Sequence, residues 1–248
     1  MTQKPNIRTK TDRWHHACAG EVFDLLERLR HGELDAQAYQ DRLMALLEKA
    51  RLSQSLADEI AQVMARGGQL ELVRRHVNEC RYTVLLYRID EGEAHPPHQH
   101  YNLISTQVIL RGQIHIREYE RTGSGETGRL TLKLVRDALL GPGDVFNASE
   151  WRRNVHWFNA VGGPALIFNI NARGYEPSTL GGEEGQQFGR LYTDTTNFSP
   201  DGLVAAADID PDGAHKLFAS RPLDDFPVPP KALASASGSD GEPHIDIG

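Results

Sequence analysis

Apolar residues in the first quarter of the chain recur at the three-and-four spacing of an amphipathic helix. The first predicted helix begins near Gly20 and ends at His31-Gly32, because glycine after a periodic run is a helix-terminating signal. Its apolar face consists of Val22, Leu25, Leu26 and Leu29. The same spacing predicts helices over 35–50 and 55–65. Helices this short are marginally stable alone, so we expect them to pack against a larger unit.

After Gly68 the pattern changes to short apolar and β-branched runs separated by glycine and proline turns. Strands are predicted over 70–77, 81–89, 103–110, 113–120, 130–135, 155–159 and 165–171, with a further edge segment at 188–192. The intervening turn signals include Gly112, Gly141-Pro142-Gly143 and Gly162-Gly163-Pro164. Many short strands at this spacing predict a mainly β fold, either a sandwich or a jelly-roll barrel.

The predicted strand 103–110 indicates how the helices and the sheet fit together. Its alternate residues share one face and are mostly apolar: Ile104, Thr106, Val108 and Leu110. A solvent-exposed face would be polar, so we expect the helices to cover it; a lid or a dimer contact is their alternative role. The chain then divides into a helical segment 1–68, a barrel 69–200 and an extension 201–248. From residue 227 this extension has the composition of a disordered tail.

Composition narrows the functional class. The 248 residues carry a formal net charge of -7 without the basic stripe that phosphate binding requires, so nucleic acid is not an expected partner. Cys18 and Cys80 are the only cysteines, which argues against a disulfide framework and favours a reducing compartment. No apolar run is long enough to cross a bilayer, and the first residues lack the apolar core of a signal peptide. We therefore expect a cytoplasmic protein that binds no membrane.

A cluster of histidines, in the segment HPPHQH, is the strongest chemical signal in the sequence. His98 and His100 are two residues apart and share a face if they lie on a strand. Imidazoles bind iron, zinc, nickel and copper, but two ligands rarely hold such an ion tightly. The third candidate is His156 in WRRNVHWF, which follows the Gly-Pro-Gly-Asp turn. His95, beside two prolines, is interpreted as a surface-loop residue.

These segments resemble the two motifs of the cupin superfamily. The first motif is similar to EGEAHPPHQHYNLISTQVILRGQIHI and the second to LLGPGDVFNASEWRRNVHWFN. The resemblance implies a cupin jelly-roll barrel with His98, His100 and His156 as metal ligands. The glutamate usual in the first motif is replaced by Ser105, and Gln107 has the same strand parity two residues later.

Without that glutamate, the pattern is similar to the thiol dioxygenases of the cysteine dioxygenase type, whose iron is held by three histidines. The segment RRHVNECRYTVLLYRIDEGEAH resembles their strand that binds the substrate carboxylate, which places Arg74 or Arg75 in that role. The chain departs from that family in ALIFNINARGY, where Asn169 and Asn171 occupy positions of an inward Ser, His and Tyr set.

The resemblance implies an Fe(II)-dependent dioxygenase that acts on a small substrate bearing a carboxylate or a thiol, with dioxygen as second partner. Gln107, Tyr119 and Asn171 are the candidate catalytic residues, and Arg74, Arg75 and Asn169 the candidate substrate-binding residues. Two alternatives stay open. One is a non-oxidative lyase or isomerase that uses zinc, manganese or nickel as a Lewis acid. The other is a non-catalytic cupin that binds a small ligand or serves as an assembly subunit. In each case a homodimer is the candidate oligomeric state.

Overall fold

The computed structural model describes residues 11–12, 14–77, 80–123, 129–175 and 189–230. The helices are α1 Ala19–Arg30, α2 Ala36–Lys49, α3 Leu52–Ser55, α4 Ala57–Arg66 and α5 Pro211–Phe218, with a 3₁₀ helix at Leu223–Asp225. The strands are β1 Thr11–Asp12, β2 Gln69–Val77, β3 Cys80–Ile89, β4 Ala94–Tyr101, β5 Leu103–Gly123, β6 Arg129–Leu140, β7 Val145–Ala148, β8 Val155–Arg173, β9 Gly189–Asp194 and β10 Leu203–Asp208.

The three predicted helices correspond to α1, α2 and α4, and their boundary signals act as expected. Gly32 follows α1 with a φ of 72°, a left-handed conformation that glycine adopts without strain. The Asp35 side chain accepts a hydrogen bond from the Ala38 backbone N–H at 2.7 Å and caps α2. The predicted apolar face of α1 is buried along its whole length.

The strands form one antiparallel sheet in the order β1-β2-β3-β8-β4-β9-β10-β6-β5-β7, with an additional pairing of β8 and β5. Following the pairings from β4 through β8, β5, β6, β10 and β9 returns to β4, so these strands close into a barrel. The predicted mainly β fold with a jelly-roll barrel and N-terminal helices is therefore confirmed.

Two predicted turns are wrong, because the chain bends there without ending a strand. The predicted strands 103–110 and 113–120 are one strand, β5, and the strands 155–159 and 165–171 are one strand, β8. Gly112 lies at an irregularity in the pairing of β5 with β8 and has a φ of 71°. A Cβ there would lie 2.4 Å from the Pro164 carbonyl oxygen, so only glycine fits this crossing.

The sequence patterns missed several short elements. The strands β4, β7 and β10 and the helix α5 lie in segments rich in proline, glycine or polar residues. The expected edge segment at 188–192 corresponds to β9, which lies inside the sheet between β4 and β10. Phe188 and residues 231–248, the greater part of the predicted disordered tail, lie outside the described residues.

Three apolar clusters hold these layers together. The helices cover the outer face of the sheet, where Ile104, Val108 and Leu110 join their core as expected. The barrel interior is filled around Ile116, Phe146 and Phe158. The C-terminal segment packs Phe218, Leu223 and Phe226 against Trp157 on another outer face. Within the described ranges, no helix is both long enough and apolar enough to span a membrane.

Candidate metal centre

Strand pairing brings the three predicted histidine ligands to one point inside the barrel. His98 on β4 lies directly opposite His156 on β8, so their side chains share the inward face. His100 follows His98 by two residues and therefore points the same way. The three side chains are buried, with exposed fractions of 2% for His98, 0% for His100 and 1% for His156.

The three imidazoles are close enough to share an ion. One ligand nitrogen of each residue lies within 4.8 Å of the other two. The Nε2 atoms of His98 and His156 are 3.1 Å apart, and the ring centroids of His98 and His100 are 5.1 Å apart. Among the described residues this is the only group of three or more metal-ligating side chains that meets such a distance limit.

Hydrogen bonding fixes one of the rings in the orientation that a ligand needs. The Nδ1–H of His98 donates to the Pro96 carbonyl oxygen at 2.8 Å. The lone pair of a neutral His98 therefore lies on Nε2, the atom that faces His156. A backbone carbonyl in this role is a common partner for a metal-binding histidine. A set of three neutral nitrogen donors fits a first-row transition ion better than Mg²⁺ or Ca²⁺, which prefer oxygen ligands.

The local environment keeps these histidines uncharged. Burial lowers the pKa of His98 and of His100 well below its usual value, and the neighbouring His156 acts in the same direction. Burial also lowers the pKa of His156 to about 3, with a further contribution from the positive charge of Arg190. Neutral imidazoles present lone pairs, so the site is arranged to bind a cation without first losing protons.

Arg190 is the positively charged neighbour of this cluster. It lies on β9 directly opposite His100, so its side chain starts on the same face as the histidines. It lines a cavity of about 360 Å³, whose wall also includes His98, Tyr192 and His215. Within the part of the chain that the structure describes, no carboxylate pairs with Arg190. The cavity is therefore lined both by His98 of the histidine cluster and by a guanidinium that pairs with no described carboxylate.

His95 forms part of the same wall, and its interpretation as a surface-loop residue is wrong. A register shift in β4 between His95 and His98 turns both side chains inward. The His95 ring stacks on Phe158 with centroids 4.8 Å apart and lies 5.5 Å from the Tyr87 ring. Burial lowers its pKa to about 3, and the positive charge of Arg190 contributes.

The predicted polar residues of β5 and β8 lie on the inward face and form hydrogen bonds with one another or with residues of β3. Gln107 is buried and accepts a hydrogen bond from the Tyr87 hydroxyl. The Ser105 hydroxyl donates to Asn169 Oδ1 at 3.1 Å, and Asn171 Nδ2 donates to the Thr83 hydroxyl at 3.4 Å. In the described part of the chain, neither asparagine hydrogen-bonds to a histidine of the cluster.

Other predicted site residues lie elsewhere. Tyr119 packs beside Trp157 in the C-terminal apolar cluster, on the outer side of the barrel wall. Arg74 forms an ion pair with Glu71. Arg75 lies 3.8 Å above the ring of Phe23 on α1, in the helical layer. The structure therefore does not bring Tyr119, Arg74 or Arg75 to the three histidines.

Several solved structures are similar to this chain at low sequence identity. No protein-family profile matches the sequence, and no curated protein matches it. A sugar phosphate isomerase of the cupin superfamily from Silicibacter pomeroyi is 18% identical, with 58% of this chain and 73% of that chain covered and a TM-score of 0.33. A double-stranded β-helix protein from Klebsiella pneumoniae is 18% identical, with 44% and 74% covered and a TM-score of 0.30.

Procruciferin, an 11S globulin from Brassica napus, is 12% identical over 37% of this chain, with a TM-score of 0.30. The match spans only 21% of the globulin. Similarity at this level carries no information on activity, and the barrel assignment therefore rests on the strand pairings described above. What the chain itself presents is a mainly β barrel with a buried three-histidine cluster suited to a metal ion.

Proposed function

We propose that this protein is a mononuclear metal-dependent cupin enzyme that uses Fe(II) and dioxygen to oxidise a small substrate bearing a carboxylate or a thiol. The observation that carries the proposal is the convergence of His98, His100 and His156 beside Arg190, which forms no ion pair with a carboxylate among the described residues. Three neutral ligands leave the full charge of the ion uncompensated, which favours an anionic substrate.

In this proposal His98, His100 and His156 hold the ion on the inward face of β4 and β8. A bound ferrous ion would supply a place at which the anionic substrate and dioxygen could meet. The electrons that reduce dioxygen would come from the substrate, to which both oxygen atoms would be added. The apolar interior around Phe146 and Phe158 limits the entry of water to the centre. A dry surrounding strengthens the electrostatic contacts between protein and substrate.

Arg190 takes the role of binding the substrate anion in this proposal. Its guanidinium can donate two parallel hydrogen bonds to one carboxylate, a geometry that lysine cannot reproduce. Tyr192 and His215 line the same cavity, and their rings lie 5.7 Å apart. A substrate held there would place its thiol or second oxygen near His98, which also lines the cavity.

Metal analysis followed by oxygen uptake tests the proposal. Protein purified without added metal should contain close to one equivalent of iron, and His156→Ala should lose it. His31→Ala, which changes an exposed histidine immediately after α1, is the matched control and should retain the metal. The iron-loaded protein should consume oxygen when cysteine or mercaptopropionate is added.

Three results would redirect or overturn the assignment. Metal loading with zinc, manganese or nickel and turnover without oxygen uptake would indicate a lyase or isomerase. A protein that binds no transition ion under any loading condition would be a non-catalytic ligand-binding cupin. Full metal occupancy in His156→Ala would contradict the ligand assignment itself.

A further inference from the structure

Glu118 is a fully buried carboxylate on the inward side of the barrel wall, with an exposed side-chain fraction of 0%. Two guanidinium groups approach it: Arg136 Nη1 at 3.2 Å and Arg153 Nη1 at 3.3 Å. Both contacts go to the same oxygen, Oε2. The other oxygen, Oε1, is buried and has no hydrogen-bond partner among the described residues.

Leaving a buried carboxylate oxygen without a donor is costly, because such a group loses its hydration and gains nothing in return. The two arginines explain why a charge is tolerated at this position. They do not explain the unpartnered oxygen. A second group that donates to Oε1 would complete the environment of this carboxylate.

Strand register identifies that group. Glu118 on β5 lies directly opposite His156 on β8, and His156 lies directly opposite His98 on β4. Directly paired residues of antiparallel strands share one face, with Cβ atoms about 4.5–5.5 Å apart. Arg136 on β6 is the register partner of Glu118 on its other side. A continuous row of paired side chains therefore runs from Arg136 through Glu118 and His156 to His98.

His156 has a buried ring nitrogen that also has no hydrogen-bond partner among the described residues. Its Nε2 atom faces His98, whereas its Nδ1 atom is buried and has no hydrogen-bond partner in the described ranges. When Nε2 binds a metal ion, a neutral ring carries its proton on Nδ1 and needs an acceptor for it. In the row of paired side chains, the carboxylate paired with His156 is that of Glu118, and its unpartnered oxygen is Oε1.

We infer that Glu118 is a positioning residue of the metal centre: its Oε1 accepts the Nδ1–H of His156 when Nε2 binds the ion. This inference rests on the proposed metal-binding role of His156. The hydrogen bond fixes the tautomer and orientation of the ring and makes Nε2 more basic, as carboxylates do for other metal-bound histidines. Arg136 and Arg153 hold the carboxylate in place from the opposite oxygen. His98 has a separate acceptor, the Pro96 carbonyl oxygen.

Metal affinity of the Glu118→Gln variant tests the inference. Titration of metal-free protein with Co(II), followed by its absorption spectrum, should show binding that is about 10- to 100-fold weaker than in the parent protein. Asp137→Asn is the matched control, because it breaks the neighbouring ion pair of Arg117 with Asp137 on β5 and β6, which lies outside the row of paired side chains. It should lower the melting temperature while changing the Co(II) dissociation constant less than about threefold.

A merely structural ion pair gives the opposite pattern. Glu118→Gln and Asp137→Asn would then both lose thermal stability, and both would bind Co(II) as tightly as the parent, which would overturn the inference. If neither the parent nor His31→Ala binds Co(II), the proposed metal site fails instead, so the two failures can be told apart.

A measurement on the parent protein applies even if Glu118→Gln does not fold. In the Zn(II)-loaded protein, the imidazole NMR signals of His156 should show a proton on Nδ1 that exchanges slowly with solvent. A metal-bound His156 whose Nδ1 proton exchanges as fast as that of an exposed histidine would overturn the inference.

Discussion

Replacing Arg190 by glutamine should weaken the binding of a small carboxylate without changing metal content. Arg190 lies opposite His100 in the strand register and lines the cavity beside His98, with no ion-pair partner in the described part of the chain. A hydrogen bond to a charged group contributes about 1.5–3 kcal/mol to binding. Because about 1.4 kcal/mol corresponds to a tenfold change in affinity, the expected loss is roughly 10- to 150-fold. Arg190 is exposed, and solvent weakens its contacts with an anion, so we expect a value near the lower limit.

Calorimetric titration of metal-loaded protein with mercaptopropionate, under anaerobic conditions, measures this loss directly. The corresponding amide lacks the negative charge and should therefore bind weakly to the parent protein. Its affinity for Arg190→Gln should equal its affinity for the parent. Arg190→Lys should recover part of the lost affinity, because it keeps the charge but not the two-pronged geometry.

Arg74→Gln and Arg75→Gln are the controls for position. The first arginine is paired with Glu71 and the second stacks on Phe23, so both variants should bind the carboxylate within about twofold of the parent. Unchanged affinity in Arg190→Gln together with a large loss in Arg74→Gln or Arg75→Gln would refute this reasoning.

Three predictions concern stability. Gly112→Ala should lower the free energy of unfolding in urea by at least about 1–2 kcal/mol, the cost of a left-handed alanine, whereas Gly141→Ala should change it little; equal midpoints would contradict this. Asp35→Ala should cost about 1 kcal/mol through loss of the α2 cap, and a change within a few tenths would show that the cap contributes nothing. Because the pKa of His95 is lowered to about 3, the parent loses stability as pH falls below the usual histidine value near 6.5. Between about pH 7.5 and pH 5, His95→Phe should therefore gain about 1–2 kcal/mol relative to the parent, and parallel stability curves would contradict this.

The three-histidine cluster is the part of the site that sequence alone predicts best. The spacing of His98 and His100 fixes their common face once they lie on a strand, and this requires no knowledge of the rest of the fold. The glycine-rich turn before His156 placed that residue on a later strand. Antiparallel pairing of β4 and β8 then brings the three together.

In β5, the direction of the side chains that follow the bend at Gly112 could not be predicted from the sequence. Ser105 and Gln107 face inward on odd-numbered positions of β5, and continued alternation would turn Tyr119 inward as well. The irregularity at Gly112 changes the parity, so that Glu118 faces inward and Tyr119 faces outward. One extra residue in a strand reverses every assignment that follows it, and such a bulge has no unique sequence signature.

Arg190 was missed for a different reason. It belongs to a short strand with no motif, and only the register with β4 brings it to His100. The predicted strand at 188–192 already indicated that Arg190 and Tyr192 point to the same face, because they are two residues apart. Which of its two faces points inward depends on a pairing between distant segments that local patterns do not record.

The helix α5 contributes to the wall of the cavity, whereas the three histidines lie on the strands β4 and β8. Residues of α5 can therefore be substituted without replacing a metal ligand. Phe218 anchors the helix in the C-terminal apolar cluster, and the Ala94 backbone N–H donates to the Ala219 carbonyl oxygen at 2.9 Å. His215 on α5 and Ser220 just after it line the cavity. Substitutions at these two positions would alter the size and polarity of the entrance while the barrel strands stay as they are, which makes α5 the natural place to redirect substrate choice by protein engineering.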